Sequence, residues 1–207
     1  MVCAILLLAV AYSVKSFTPP IFAENSIAEL RSLMVNSDEQ FLLVRGMDTN
    51  SPVLLFLHGG PGMPAMYLAH SFQRELEKHF VVVHWDKRAS GKSFKVDTDP
   101  GKLSTSALLS DTDVVVDFLR DQFETDRLWL VGHSHGAYLG VLYARRYDEK
   151  VCAFVGIGQV TNDDSSGPVA ALQRRFLEER REELGLEPDV VIDDSNLEDL
   201  LFKSGTE

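Results

Sequence analysis

Continuous hydrophobic runs of strand length alternate with stretches of helical periodicity along this chain. Runs without polar alternation are typical of strands buried on both faces, as in a parallel sheet. Five such runs occur, at residues 41–44, 53–57, 80–83, 128–131 and 151–157. Helical periodicity covers residues 66–79, 104–123 and 137–147. This order predicts an α/β fold with a mostly parallel central sheet flanked by helices.

The first predicted helix, residues 66–79, has a clear apolar side. Leu68, Phe72 and Leu76 fall on one face, and the charged residues fall elsewhere. Such a stripe is typical of a helix that packs on a sheet. We therefore expect these three side chains to face the core.

The N-terminal segment is almost wholly apolar from Val2 to Val14, and Lys15 and Pro19-Pro20 close it. The run is shorter than the ~20 residues that span a bilayer, but it suits the apolar region of a secretory signal. We expect residues 1–20 to be a signal peptide or an uncleaved membrane anchor, so the protein would be exported (secreted, periplasmic or membrane-anchored). A buried N-terminal helix is the alternative.

Charge and cysteine content narrow the range of partners. The formal net charge of −11 over 207 residues disfavours nucleic acid. Eleven acidic residues oppose five basic ones over residues 171–207, which indicates a solvated helical face or, alternatively, a surface that attracts a cationic substrate. Cys3 and Cys152 give no disulfide framework, and no Cys/His spacing predicts a metal site. No cofactor is expected.

The strongest chemical motif is Gly132-His133-Ser134-His135-Gly136. Its Gly-x-Ser-x-Gly form is typical of a nucleophile elbow, in which a strand turns sharply into a helix and exposes a serine hydroxyl. Bulky neighbours would clash in so tight a turn. The motif follows a predicted strand and precedes a predicted helix, so we predict that Ser134 is a catalytic nucleophile.

A second motif, His58-Gly59-Gly60-Pro61-Gly62, also ends a predicted strand. Glycines at such a turn let backbone N–H groups face a developing oxyanion. We predict that the oxyanion hole consists of the backbone N–H groups of Gly60 and of His135, the residue after the nucleophile.

Three stretches together resemble the α/β-hydrolase superfamily, and within it the prolyl aminopeptidase (proline iminopeptidase) group of serine peptidases. They are residues 58–62, 86–93 and 132–136. Residues 86–93 are similar to that group's Asp-x-Arg-Gly-x-Gly-x-Ser loop, with Ala89 where glycine is usual. The resemblance implies that Asp86 and Arg88 brace the active-site face through internal ion pairs. It also implies that His58 and Gly59 support the oxyanion loop.

The resemblance also implies a domain division and a substrate. Residues 21–166 correspond to the N-terminal part of a hydrolase core, and residues 167–207 resemble the start of a helical cap. In the peptidase group the cap shapes the pocket for the amino end of the substrate. The implied reaction is release of an N-terminal residue, such as proline, from a short peptide through an acyl-enzyme. An esterase or lactonase acting on a small molecule is the alternative, because both reactions use the same residues.

The catalytic base is not evident among the six histidines. A serine nucleophile needs a base and an orienting acid, and in this fold both follow the serine, with the histidine last. No histidine follows His135. We therefore expect the acid and histidine beyond residue 207, with this chain truncated at its C-terminus. The alternative is an inactive chain that acts as a binding remnant; the oligomeric state is left undetermined.

Overall fold

The computed structural model describes residues 18–60, 62–98, 103–159, 174–175, 177–182, 186 and 191–192. The expected signal or anchor, residues 1–20, lies almost wholly outside these residues, and so does most of the expected cap, 167–207. The chain divides into two compact units, Met1–Val160 and Thr161–Glu207. Within the described ranges, no helix is long and apolar enough to cross a bilayer.

The sheet begins with an antiparallel hairpin. Strand β1 (Ile27–Val35) pairs with β2 (Asp38–Gly46) in register from end to end. The connecting residues Asn36 and Ser37 have φ angles of 45° and 70°, as a two-residue hairpin turn requires. The apolar pattern predicted only the centre of β2. Strand β1 was not predicted, because its side chains are mostly half-buried and its periodicity is weak.

Four parallel strands follow: β3 (Val53–Leu57), β4 (Val81–Asp86), β5 (Leu128–His133) and β6 (Val151–Ile157). The order across the sheet is β1-β2-β4-β3-β5-β6, and β2 runs antiparallel to β4. The predicted mostly parallel sheet is confirmed. Strand β6 pairs only with β5 within the described part of the chain, and most of its side chains, including Cys152, are exposed instead of buried.

Two long helices pack on the sheet: α2 (Thr105–Gln122) and α3 (His135–Arg146). Ser104 caps α2, because its side chain accepts a hydrogen bond from the Ala107 N–H. Apolar side chains of α2 and Tyr143 of α3 form one buried cluster with alternate residues of the strands. The intervening strand residues form a second cluster on the opposite face, which explains the continuous apolar runs.

The predicted helix over residues 66–79 is wrong as a single regular helix. Two 3₁₀ segments, Met66–Leu68 and Gln73–Lys78, flank one short α-helical turn, α1 (Ala69–Phe72). The expected face is wrong for two of its three residues: Leu68 is 45% and Phe72 50% exposed, whereas Leu76 is partly buried and packs against the core. Polar side chains are buried in their place. Glu77 forms a salt bridge of 2.7 Å with Arg45 of β2 and accepts a hydrogen bond from Gln73.

Candidate active site

The predicted nucleophile lies at the junction of β5 and α3. Ser134 has φ 52° and ψ −120°, a region that an L-residue occupies only when its surroundings enforce it. Its N–H donates to the Ile157 carbonyl at 2.8 Å, and its own carbonyl accepts from the Ala137 N–H at 2.8 Å. The strained backbone is therefore held from both sides, by β6 and by the first turn of α3.

Glycines on both sides of Ser134 allow this turn to close. A β-carbon at Gly132 would overlap the backbone of Gly136 and Ala137. One at Gly136 would overlap the carbonyl groups of Leu57 and His58, at the end of β3. Glycine is therefore required at both positions of the motif, because the backbone on each side of Ser134 lies too close for a side chain.

The glycine-rich turn lies directly against the elbow. Leu57, the last residue of β3, pairs with Gly132 of β5, so both strands end at the same edge of the sheet. A β-carbon at Gly59 would be 3.2 Å from Ser134 Cβ and 3.1 Å from His133 Nδ1. Gly60 follows with φ 107°, which only glycine adopts without strain. The structure therefore brings Gly59 against Ser134, and Gly60 follows Gly59 in the same turn.

His58 is buried, and both of its ring nitrogens are engaged. Nε2 lies 3.1 Å from the Lys87 N–H, from which it accepts a hydrogen bond, and Nδ1 lies 2.9 Å from the Gly59 carbonyl. Because Nε2 accepts, the ring proton resides on Nδ1. Burial and the positive charge of Lys87 lower the pKa of His58 to about 3. His58 is therefore a neutral group that joins the turn to the loop after β4.

The loop after β4 contributes a buried lysine to this arrangement. Lys87 is fully buried, and its ammonium donates to the His58 carbonyl at 2.6 Å. Burial lowers its pKa to about 7. Ser90 Oγ donates to the Lys87 carbonyl at 2.5 Å and lies 3.0 Å from His58 Nε2. The loop and the glycine-rich turn are thus joined by several hydrogen bonds at the carboxyl ends of β3 and β4.

Arg88 anchors the same loop to helix α2. Its guanidinium binds Asp111 through two hydrogen bonds, of 2.8 and 2.7 Å, and also contacts Asp38. Asp111 is fully buried and accepts further hydrogen bonds from Asn36 and Gln40. Asp111 and Asp38 raise the pKa of Arg88. This geometry suits the bracing role expected of Arg88.

Asp86 makes different contacts from those of Arg88. Its Oδ2 accepts a hydrogen bond from the Lys92 backbone N–H at 2.8 Å, and its carbonyl accepts one from Ser93 Oγ at 2.5 Å. These bonds fold residues 86–93 into a compact loop. Gly91 has φ 50°, and a β-carbon there would overlap the Asp86 carboxylate. The carboxylate is therefore held in one position.

No described histidine is bonded to the predicted nucleophile. Ser134 Oγ has no hydrogen bond within the part of the chain that the structure describes. His84 is buried and stacks on Phe56 at 4.5 Å, and burial lowers its pKa to about 4. His133 is exposed. The triad acid and histidine that were expected beyond residue 207 lie outside the described residues.

Lys87 and Asp111 were not singled out from the sequence. Asp111 had a usable signal, because it lies three residues after Leu108 and four before Val115 on the buried side of α2. A charged residue at an apolar position of a helix predicts a buried partner. Lys87 had no such signal. Within the described residues, no group of three or more His, Cys, Asp and Glu side chains could hold a metal ion.

The chain matches one protein family and is similar in sequence to two known proteins. The model of the alpha/beta hydrolase fold family matches residues 52–190. The chain is 34% identical over 158 residues to a probable aminopeptidase, YbaC, from Bacillus subtilis, a span of 76% of this chain and 50% of that protein. It is 28% identical over 138 residues to a proline iminopeptidase from Saccharolobus solfataricus, covering 66% of this chain and 40% of that protein.

A solved structure is also similar to this chain in fold and sequence. The proline iminopeptidase-related protein from Thermus thermophilus superposes with a TM-score of 0.63 at 28% identity, over 86% of this chain and 57% of that chain. The chain spans about half the length of the curated relatives it matches.

Proposed function

We propose that this chain, which belongs to the α/β-hydrolase fold family, carries the nucleophile and oxyanion hole of a serine hydrolase that releases an N-terminal residue, such as proline, from short peptides. The observation that carries the proposal is the backbone of Ser134, which is held at φ 52° and ψ −120° between β5 and α3. The packing of Gly59 against Ser134 supports it. The names of the two curated relatives support the choice of a peptidase.

In the proposed mechanism, Ser134 Oγ attacks the carbonyl carbon of the first residue of the peptide. The carbonyl oxygen becomes an oxyanion that accepts hydrogen bonds from the N–H groups of Gly60 and His135. The C–N bond then breaks, and the leaving amine takes the proton that Ser134 gave to the base. Water attacks the resulting ester, which frees the amino acid and restores the hydroxyl.

The proton acceptor in this proposal is a histidine outside the 207 residues. His58 is an unsuitable base, because its Nε2 accepts the Lys87 N–H and its pKa is far below neutrality. Its proposed role is to position the oxyanion loop. The hydrogen bonds that join this loop to Lys87 support the idea of donors that are oriented before the substrate binds.

The test is hydrolysis of prolyl-, alanyl- and leucyl-p-nitroanilide by the native protein and by its Ser134→Ala variant. We expect Ser134→Ala to reduce kcat by a factor of ~10⁴ or more and to abolish labelling by a fluorophosphonate probe. The control is Ser71→Ala, an exposed serine of α1, which should retain both. Full activity of Ser134→Ala would contradict the mechanism. Cleavage of p-nitrophenyl esters without any cleavage of anilides would instead indicate an esterase.

A further inference from the structure

A cavity of about 330 Å³ lies beside the loop after β4, apart from the predicted nucleophile. Apolar side chains form most of its wall: Leu30 of β1, Leu43 of β2, Pro64, Met66 and Tyr67. None of its lining residues belongs to the elbow or to residues 58–60. Its volume is at the lower end of the range for small-molecule sites, which are mostly apolar with a few polar groups.

A buried carboxylate forms one of the polar parts of this wall. Asp86 lines the cavity and is only 2% exposed. Its Oδ2 accepts the Lys92 N–H, but its Oδ1 is buried without a hydrogen-bond partner among the described residues. An unpaired buried acceptor of this kind destabilises the folded protein, and more strongly if it is charged. Because Asp86 lines the cavity, a ligand there that donates a hydrogen bond to this unpaired oxygen would be favoured.

The surroundings of Asp86 favour a cationic donor. Lys92 contributes a positive charge from the same loop, but its side chain is exposed to water. His70 also lines the cavity. Burial raises the pKa of the Asp86 carboxyl, as expected for a carboxylate in a largely apolar wall. A bound cation would offset this cost of burial.

We propose that this cavity binds a primary ammonium group on a small apolar body, with Asp86 Oδ1 accepting a hydrogen bond from the ammonium and the apolar wall holding the body. The proposal does not depend on the proposed hydrolase activity, because binding is measured without turnover. A free amine and the amino end of a peptide both carry this group.

The experiment is calorimetric titration of the full chain with phenethylamine and with 2-phenylethanol, which has the same shape but no charge. A charge-assisted hydrogen bond adds ~1.5–3 kcal/mol, so we expect phenethylamine to bind at least ~10-fold more tightly. Asp86→Asn should remove this preference, whereas Asp97→Asn, the same change at an exposed site, should keep it. Equal affinity for both compounds, binding of neither, or a preference that survives in Asp86→Asn would overturn the proposal.

A second variant covers the case in which Asp86→Asn fails to fold. Leu30→Trp places a larger side chain in the cavity from β1, where Leu30 is only partly buried, and leaves Asp86 in place. It should lose phenethylamine binding while keeping its thermal unfolding transition. Unchanged binding in this folded variant would contradict the cavity as the site.

The source of the ammonium is tested with phenylalaninamide and N-acetylphenylalaninamide. If phenylalaninamide binds as tightly as phenethylamine, the cavity accepts the amino end of a peptide. If only phenethylamine binds, the ligand is a free amine. Both results support an ammonium site, whereas equal binding of the acetylated and free amides would overturn it.

Discussion

The ammonium of Lys87 lies 2.6 Å from the carbonyl oxygen of His58, in a position that is fully closed to solvent. Burial lowers the pKa of this lysine from 10.5 to about 7, because a charged ammonium loses its hydration inside the protein. One hydrogen bond to a neutral carbonyl does not replace that hydration. The glycine-rich turn is therefore joined to a lysine whose pKa burial brings close to neutral pH.

Stability should consequently rise with pH between about 7 and 10.5. In this window the unfolded chain keeps the Lys87 proton and the folded protein releases it, so raising the pH favours folding. Below pH 7 both states hold the proton, and the whole cost of burial is present. The measurement is the free energy of unfolding in urea across this range, for the wild type and for Lys87→Met. The variant should be the more stable below pH 7, and the difference should shrink as the pH rises.

The control for this experiment is Lys95→Met, which removes the charge of an exposed lysine. Its free energy of unfolding should follow the wild-type pH dependence. A constant difference between the wild type and Lys87→Met from pH 6 to 10 would show that Lys87 keeps an ordinary pKa.

Ala89 occupies a backbone conformation that favours glycine. Its φ is 58°, at the position where the similar peptidase loop usually has glycine. A left-handed conformation costs a non-glycine residue about 1 kcal/mol or more. Substitution by glycine removes this cost, but part of the gain is lost because glycine has more conformational entropy in the unfolded chain. Ala89→Gly should therefore stabilise the protein by about 0.5–1 kcal/mol. Ala144→Gly, inside helix α3, should destabilise it by about 1 kcal/mol; destabilisation by both would contradict the left-handed assignment.

The contact between Gly136 and the end of β3 should make that glycine irreplaceable. A β-carbon there would overlap the Leu57 carbonyl, which is backbone and cannot move without disturbing the sheet. Gly136→Ala should cost at least about 2–3 kcal/mol in urea unfolding. Gly62→Ala adds the same methyl group where nothing lies within 4 Å, and it should leave stability within about 0.5 kcal/mol. Similar effects of the two substitutions would rule out the close approach of elbow and strand.

Breaking the pair between Arg88 and Asp111 should be costly. Both side chains are buried, and Asp111→Asn would leave the guanidinium facing an amide in place of a carboxylate. Removing one partner of a buried pair typically costs about 3–5 kcal/mol. Glu75→Gln removes one partner of an exposed pair with Lys78 and should leave the urea midpoint unchanged, since such pairs contribute little. A minor effect of Asp111→Asn would mean that the loop after β4 does not depend on this anchor.

The parallel strands and the position of the elbow could be predicted from local sequence patterns. Strands β3 and β5 are continuous apolar runs because both of their faces are covered, and this signal is local. The Gly-x-Ser-x-Gly pattern predicted a strand-to-helix turn at Ser134, which is where the structure has one. Local periodicity and local turn chemistry were enough in both cases.

Which polar side chains are buried could not be predicted from local patterns, because their partners lie far away in the sequence. Glu77 faces inward because Arg45, 32 residues away, pairs with it, and periodicity could not identify a partner so distant in sequence. The same holds for Arg88 and Asp111, and for Lys87 and the His58 carbonyl. Burial of a charge is favourable only when the fold supplies a partner, so it depends on contacts between segments and not on the pattern within one of them.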